Sequence, residues 1–374
     1  MEDNYFYRSS LSFKDKVLSL DFKLIFLVLL LGIISFFAIY STERGNFAYY
    51  TENHLYRFCI FFLLFIILSF VRIQFWYKFA YSFYLIILML LIVVHFFGIT
   101  ASGSTRWINL FVFNLQPSEL MKIALIVFLA KYYNRRTLHN VNQLRFMFLP
   151  IFALFVPVAL VIVQPDLGTA LLIAFGGLAV VWLAGFRIKY FIYSFITFIC
   201  LAPVMIAVLK PYQKLRILTF FNPERDPLGA GYQLIQSKIA IGSGGLLGKG
   251  FLRGSQSYLD YLPEKHTDFI FTLFSEEFGF IGSVSLLVIY ALIVYRIIAT
   301  GNLSRNNFAK LYCYGFAVAF FIYVTVNMSM VLGLVPIVGA PLPIMSYGGS
   351  AMLSTMMGLG IVMSCRVYSE DELS

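Results

Sequence analysis

Pro263-Glu-Lys-His-Thr-Asp-Phe-Ile-Phe271 carries a charged, water-loving segment directly into an apolar run that continues to about residue 298. Asp268 stands on the border. An ionisable residue at the mouth of a membrane span is expensive to keep and is read as functional, with its partners nearby; Glu264, Lys265 and His266 are its neighbours in sequence. The rest of the chain has the same character. It is 60% hydrophobic and 12% charged, with 41 Phe and 24 Tyr, whereas soluble domains carry roughly a quarter charged residues. The class is an all-α polytopic membrane protein.

Working outward from that border, apolar stretches of about 20 residues fall near 22–40, 57–72, 76–98, 117–133, 145–163, 167–186, 190–209, 268–298, 308–332 and 345–365. The expected organisation is a polar N-terminal segment, 1–21, then a single transmembrane domain of about ten helices over 22–366, and a tail, 367–374. The first apolar run has no small-residue cleavage site after it, so it reads as a retained span and not as a signal peptide. The basic residues set the orientation, because short cytoplasmic loops hold an excess of Lys and Arg. Arg72 and Lys78, then Lys131, Arg135, Arg136 and Arg145, then Arg187 and Lys189, then Arg296, Arg305 and Lys310 fall on alternate loops, on the side of the N-terminus. Both termini are therefore expected to be cytoplasmic, and the long loop 210–267, between the seventh and eighth spans, extracytoplasmic.

A net charge of +10 raises the question of nucleic acid, but the cations are spread over loop ends and form no basic face. The four cysteines lie in or beside apolar spans and suggest neither a disulfide framework nor a zinc site. Gly242-Ser-Gly-Gly-Leu-Leu-Gly-Lys249 looks superficially like a phosphate-binding loop. Ser243 stands where that motif requires Gly, and Gly250 where Ser or Thr would bind magnesium, so flexible loop backbone is expected instead.

The long loop has content of its own, since connections beyond roughly 15 residues are usually functional. Asn222–Gln233 is polar and turn-rich, and Tyr232 to Ile241 alternates at helical spacing, as an interfacial or reentrant helix roofing a site would. Glu119 and Lys122, three apart at the start of the fourth span, share one helix face; they either line a substrate cavity or fix helix register. Asp166 follows Gln164-Pro165 at a tight turn, where Asp is also an ordinary turn residue. Arg106-Trp107 reads most simply as an aromatic-belt Trp with a snorkelling Arg. Pro336, Pro341 and Pro343, with Gly339, Gly348 and Gly349, break the backbone before the last span. Irregular backbone at membrane depth is tolerated where it is buried in protein or lines a wet cavity, so Pro341–Ser350, including Ser346, is expected to line the cavity that Asp268 faces.

Pro263–Phe271 running on to Ser275-Glu-Glu-Phe-Gly279, with Asn222–Gln233, Gln116-Pro-Ser-Glu119 and Pro341–Ser350 in the same order, resembles the signature segments of the SEDS family (shape, elongation, division and sporulation). The short tail after Arg366 is closer to its elongation members than to its division members. The resemblance implies a ten-helix bundle in the bacterial plasma membrane that polymerises lipid II into glycan strands on the outer face. It also implies a class B penicillin-binding protein as crosslinking partner. Carried onto this chain, the essential aspartate is Asp268, the functional tryptophan Trp107, and the cavity's ionisable residues Glu119, Lys122 and Asp166.

The chemistry suits those residue types. Joining two lipid-linked sugars requires a base for the acceptor hydroxyl and cations for the departing pyrophosphate. Asp268 can be the base, and Arg106, Lys122, Arg216 and Lys265 are candidates for the phosphates. A divalent cation, Mg or Mn, is expected to bridge phosphate and carboxylate, with no ligand set legible. The apolar helix faces would hold the polyprenyl tails among the membrane lipids. A flippase of lipid-linked precursors would also use many spans, an ion pair and broken helices, but it needs polar residues along the full depth of the bundle. A scaffold that only docks a crosslinking enzyme leaves Asp268 without a purpose.

Overall fold

The computed structural model describes residues 12–101, 104–109, 114–136, 141–208, 214, 218–223, 229–255, 262 and 264–371. A short amphipathic helix, α1 (Phe13–Leu18), leads into α2 (Phe22–Thr42), α3 (Tyr49–Ser69), α4 (Ile73–Phe97), α5 (Pro117–Asn134), α6 (Leu144–Val163), α7 (Leu167–Leu183) and α8 (Ile188–Val208). After the long loop, which contains α9 (Ala230–Gly244), come α10 (Ile270–Leu303), α11 (Asn307–Val331) and α12 (Gly349–Val367). Among the described residues the ten expected spans are all helical. Seven of them are long and apolar enough to cross a membrane by length and composition, and α7 and the first part of α8 are shorter apolar helices. Helix α5 carries Glu119, Lys122 and Lys131 and is the most polar of the set.

The helices alternate in direction, so two ends of the bundle can be distinguished. The turn carrying Asp268 defines one. Both ends of the described chain lie at the other: Phe13 packs on Phe70 with ring centroids 5.6 Å apart, the Tyr368 hydroxyl donates to the Phe70 carbonyl at 2.9 Å, and Lys16 lies over the Tyr368 ring. The outer surface is a belt of exposed Phe, Leu and Ile from α2, α3, α4, α6 and α8, as a lipid-facing wall requires. Helices α5 and α12, buried along nearly their whole length, form the centre.

Three local features depart from the sequence expectation. Helix α3 begins eight residues earlier than the apolar run suggests, because its polar first turns are buried with partners. Glu43 accepts from the Thr51 N–H at 2.7 Å and from its hydroxyl, and Ser35 meets His54 Nε2 at 2.6 Å. A small antiparallel sheet, β1 (Ile99–Ala101), β2 (Ser104–Asn109) and β3 (Asn114–Leu115), closes the link between α4 and α5, pairing Ile99 with Trp107 and Ile108 with Leu115.

The third departure is the glycine-rich stretch 242–249, which is a splint and not loose backbone. Helix α10 breaks at Gly279 (φ 65°, ψ −162°), a conformation open essentially only to glycine. Loop backbone fills the break: Phe280 N–H donates to Gly245 O at 2.9 Å, Lys249 N–H to Glu276 O and Gly250 N–H to Glu277 O, both at 3.0 Å. Lys249 pairs with Glu276 at 2.6 Å, and Ser255 donates to the same carboxylate oxygen. The Ser41 hydroxyl donates to Glu277. Helix α9 then docks on α10 and α11, with the buried Ser237 hydroxyl donating to Val331 O at 2.7 Å and meeting Thr272 at 2.8 Å. It is packed into the bundle more deeply than an interfacial helix.

Candidate active site

Asp268 sits in the turn of 264–269, two residues before α10. The N-cap of that helix is Phe269, whose own side chain makes no cap bond. The turn is held by the broken segment before α12. The Tyr347 N–H donates to His266 O at 2.8 Å, and the Ser346 hydroxyl donates to Thr267 O at 2.6 Å while accepting from Leu342 N–H at 2.7 Å. From inside the bundle, Asn327 of α11 donates one amide to both Asp268 O (2.9 Å) and Ala340 O (2.6 Å). Gly339, at φ +69°, faces the Asp268 carboxylate; a Cβ there would lie 3.4 Å from Oδ2. Proline and glycine in 336–349 thus serve a backbone that doubles back against the Asp268 turn, which a continuous helix could not do.

Glu119 and Lys122, on the first two turns of α5, form a buried ion pair at 2.8 Å. The ammonium carries three N–H donors, more than this one carboxylate answers, so it keeps donors to offer. Its other contact is the Tyr323 ring, with Nζ 3.7 Å from the centroid, and the Tyr323 hydroxyl reaches both Glu119 oxygens at 3.3 and 3.4 Å. Ser354 of α12 donates to the same carboxylate at 3.3 Å. Tyr323 is also within electrostatic reach of Asp268 and Asp166.

Asp166 is the N-cap of α7, accepting from Thr169 N–H at 3.2 Å and from its hydroxyl at 2.9 Å. Its second oxygen also receives Gln116 Nε2 at 3.0 Å and Arg106 Nη1 at 3.3 Å. One carboxylate thus serves as the turn residue and also meets Gln116 and Arg106 of the candidate site. Arg106 and Trp107 are carried on β2, with the guanidinium 6.0 Å from the indole centroid; the small sheet brings them over the ends of α5 and α7. Gln116, just ahead of α5, is tied to α12 through its N–H to Ser350 Oγ at 2.9 Å.

Asp268, Glu119, Lys122, Asp166, Arg106, Trp107 and Ser346 are thus gathered at one end of the bundle. The Ser346 hydroxyl is committed to backbone partners and positions the turn. Lys265 is buried in that same turn, and Arg216 lies outside the described residues. Tyr323 and Asn327 were not singled out from sequence; the signal for Asn327 was a side-chain amide inside an otherwise apolar span. Among the described residues no three His, Cys, Asp or Glu side chains converge as a metal-ligand set. The described residues alone therefore form no cage, although Mg²⁺ commonly binds through one or two carboxylates plus substrate phosphates.

A polytopic helical bundle with buried ionisable side chains converging on broken backbone at one end is an integral membrane protein with a reaction or binding site at one membrane face. The chain belongs to the FtsW/RodA/SpoVE family, whose model, described as "cell cycle protein", matches residues 18–371. It is similar to peptidoglycan glycosyltransferase MrdB of Escherichia coli K12, 42% identical over 286 residues that cover 76% of this chain and 77% of the relative. It is also similar to stage V sporulation protein E of Bacillus subtilis, at 37% over 284 residues (75% and 76%). Among solved structures it resembles a chain described under the structural coordination of polymerization and crosslinking by a peptidoglycan synthase complex (TM-score 0.81, 32% identity, covering 94% of this chain and 99% of that one). Rod shape determining protein RodA of Thermus thermophilus is a second structural neighbour (TM-score 0.72, 27% identity, 94% and 98%).

Proposed function

We propose that this chain is a peptidoglycan glycosyltransferase that polymerises lipid II at the outer face of the bacterial plasma membrane, with Asp268 as general base. The supporting observation is the convergence of Asp268, the Glu119–Lys122–Tyr323 group and the Arg106–Asp166 pair in a family member similar to MrdB. The acceptor sugar hydroxyl attacks the anomeric carbon of the donor and transfers its proton to Asp268; the glycosidic bond forms as the bond to the pyrophosphate lipid breaks. The leaving group gains negative charge in that step. Arg106 can meet phosphate oxygens bidentately and Lys122 as a point charge, while Lys265 and Arg216 remain candidates for the same role. A divalent cation, Mg or Mn, would arrive on the pyrophosphate and add positive charge to the leaving group.

The site end faces outward in this reading, with both termini cytoplasmic, and a class B penicillin-binding protein receives the growing strand. Helix α5 argues against a flippase. Beyond Lys122 it runs from Ile123 to Ala130 with apolar, buried side chains only, so this central helix offers no polar path to the opposite end. The test is the purified full-length chain incubated with fluorescent lipid II, with and without a class B partner, and glycan strands read on a gel. Strands are expected. No strands in either arm, from protein that transports lipid II across proteoliposomes, would replace the polymerase by the flippase.

A further inference from the structure

At the end of the bundle remote from Asp268, where α4 and α6 begin and α5 finishes, two cations are held by aromatic rings and, among the described residues, matched by no acid. Lys131 Nζ lies 4.3 Å from the Tyr81 ring centroid and 5.2 Å from that of Tyr77, and donates to the Lys78 carbonyl at 3.0 Å. The Arg136 guanidinium is sandwiched between Tyr132 and Phe146, 4.2 Å from each centroid. The Tyr132 hydroxyl fixes that sandwich by donating to Phe146 O at 2.8 Å. Arg136 is in electrostatic reach of Tyr81, the ring on which Lys131 rests.

Glu119 and Asp166 are the only acids between residues 53 and 223, and both lie at the other end of the bundle. Among the described residues no carboxylate pairs with Lys78, Lys131 or Arg136. Arg136 Nε is buried with no acceptor. Helices α4 and α6 begin here without a side-chain cap, which adds backbone N–H groups, while the negative C-terminal end of α5 lies beside the same cations.

The positive-inside tendency explains cations at this end. It does not explain why two of them are ordered on aromatic rings with a buried, unanswered N–H. Such a set matches a phosphate oxyanion, since Arg and Lys supply charge-assisted donors and helix N-termini complete the shell. We propose that the α4–α5–α6 end is a binding site for the phosphate of an anionic phospholipid headgroup, taken from the leaflet opposite the reaction site. Basic pockets between spans are suited to such headgroups.

The test uses purified full-length protein in neutral detergent, its thermal midpoint followed against short-chain phosphatidylglycerol, phosphatidylcholine or inorganic phosphate. A saturable rise with phosphatidylglycerol alone is expected. Lys131→Gln/Arg136→Gln should weaken it by about fivefold per charge, on the order of 30-fold together, and Lys131→Arg/Arg136→Lys should restore it. Should the Gln variant fail to fold, native mass spectrometry of the wild type released from mixed nanodiscs decides, with phosphatidylglycerol retained over phosphatidylcholine. Equal response to the two lipids, an undiminished phosphatidylglycerol response in the folded Gln variant, or a response to inorganic phosphate equal to that of phosphatidylglycerol overturns the proposal.

Discussion

Asp268→Asn separates the chemistry of the site from its architecture. The substitution conserves side-chain volume and one acceptor oxygen but abolishes proton acceptance. Two neighbouring contacts do not depend on the lost charge: the Phe269 N-cap of α10 makes no side-chain cap bond, and Asn327 grips the Asp268 main-chain oxygen, which Asn retains. The cost to folding should therefore stay within the ordinary range of a substitution that touches no cap and opens no void, about 1 kcal/mol or less. Loss of a positioned general base costs about 10²–10⁴ in rate, which corresponds to roughly 3–5 kcal/mol in the transition state. Rate loss should thus exceed stability loss severalfold. The assay is initial rate of lipid II polymerisation by purified protein, paired with its thermal midpoint and its co-purification with a class B penicillin-binding protein. Asp268→Glu should also be slow, because one added methylene displaces the carboxylate by on the order of an ångström. A folded Asp268→Asn enzyme working within a few-fold of wild type would show that the proton goes elsewhere.

Removing Glu119 or Lys122 alone strands a buried charge, so Glu119→Gln and Lys122→Met should each cost about 3–5 kcal/mol, and the double variant should recover much of that in thermal midpoint; additive losses would mean that the pair is not coupled. Asn327→Ala leaves the carbonyls of Asp268 and Ala340 without their donor and should lower polymerisation more than Ser35→Ala does, a comparison made at equal folded protein by size-exclusion recovery. Gly279→Ala combines a glycine-only conformation with a Cβ 2.3 Å from Gly248 N and 2.7 Å from Leu246 O; loss of monodisperse protein or a large fall in thermal midpoint is expected, and a normal midpoint would contradict the splinted break. Orientation is read from Leu247→Cys, exposed on the long loop, in a background freed of native cysteines. Labelling by an impermeant maleimide on intact cells is expected, and labelling only after lysis would invert the topology.

Helix number and class were legible because lipid forces each span to be apolar and long, and that constraint is written locally in the sequence. Glu119 and Lys122 were legible through their helical spacing, and Asp268 through its place where charge gives way to hydrocarbon. Tyr323 was not, since one aromatic among 24 tyrosines shows no outward sign that its hydroxyl meets Glu119. The start of α3 was misjudged because hydropathy treats Thr51 and His54 as exposed, whereas Glu43 and Ser35 answer them in the fold. The splint at Gly279 was hidden for a different reason. Its partners are main-chain atoms more than 25 residues apart in sequence, and backbone pairing of that kind leaves no residue-type signature beyond the glycines themselves.

The apolar core of α5 has a bearing on the energetics of the cell. From Ile123 to Ala130 the helix rises roughly 12 Å without an ionisable group, ample to keep protons and metal ions from hopping inward from the charged end along this helix, given the penalty for an unpaired charge in hydrocarbon. Along this helix, a reaction at the charged end would be insulated from the transmembrane proton gradient. Wall growth would neither consume nor dissipate the gradient, and its free energy would come from the activated sugar-pyrophosphate bond brought in by each new subunit.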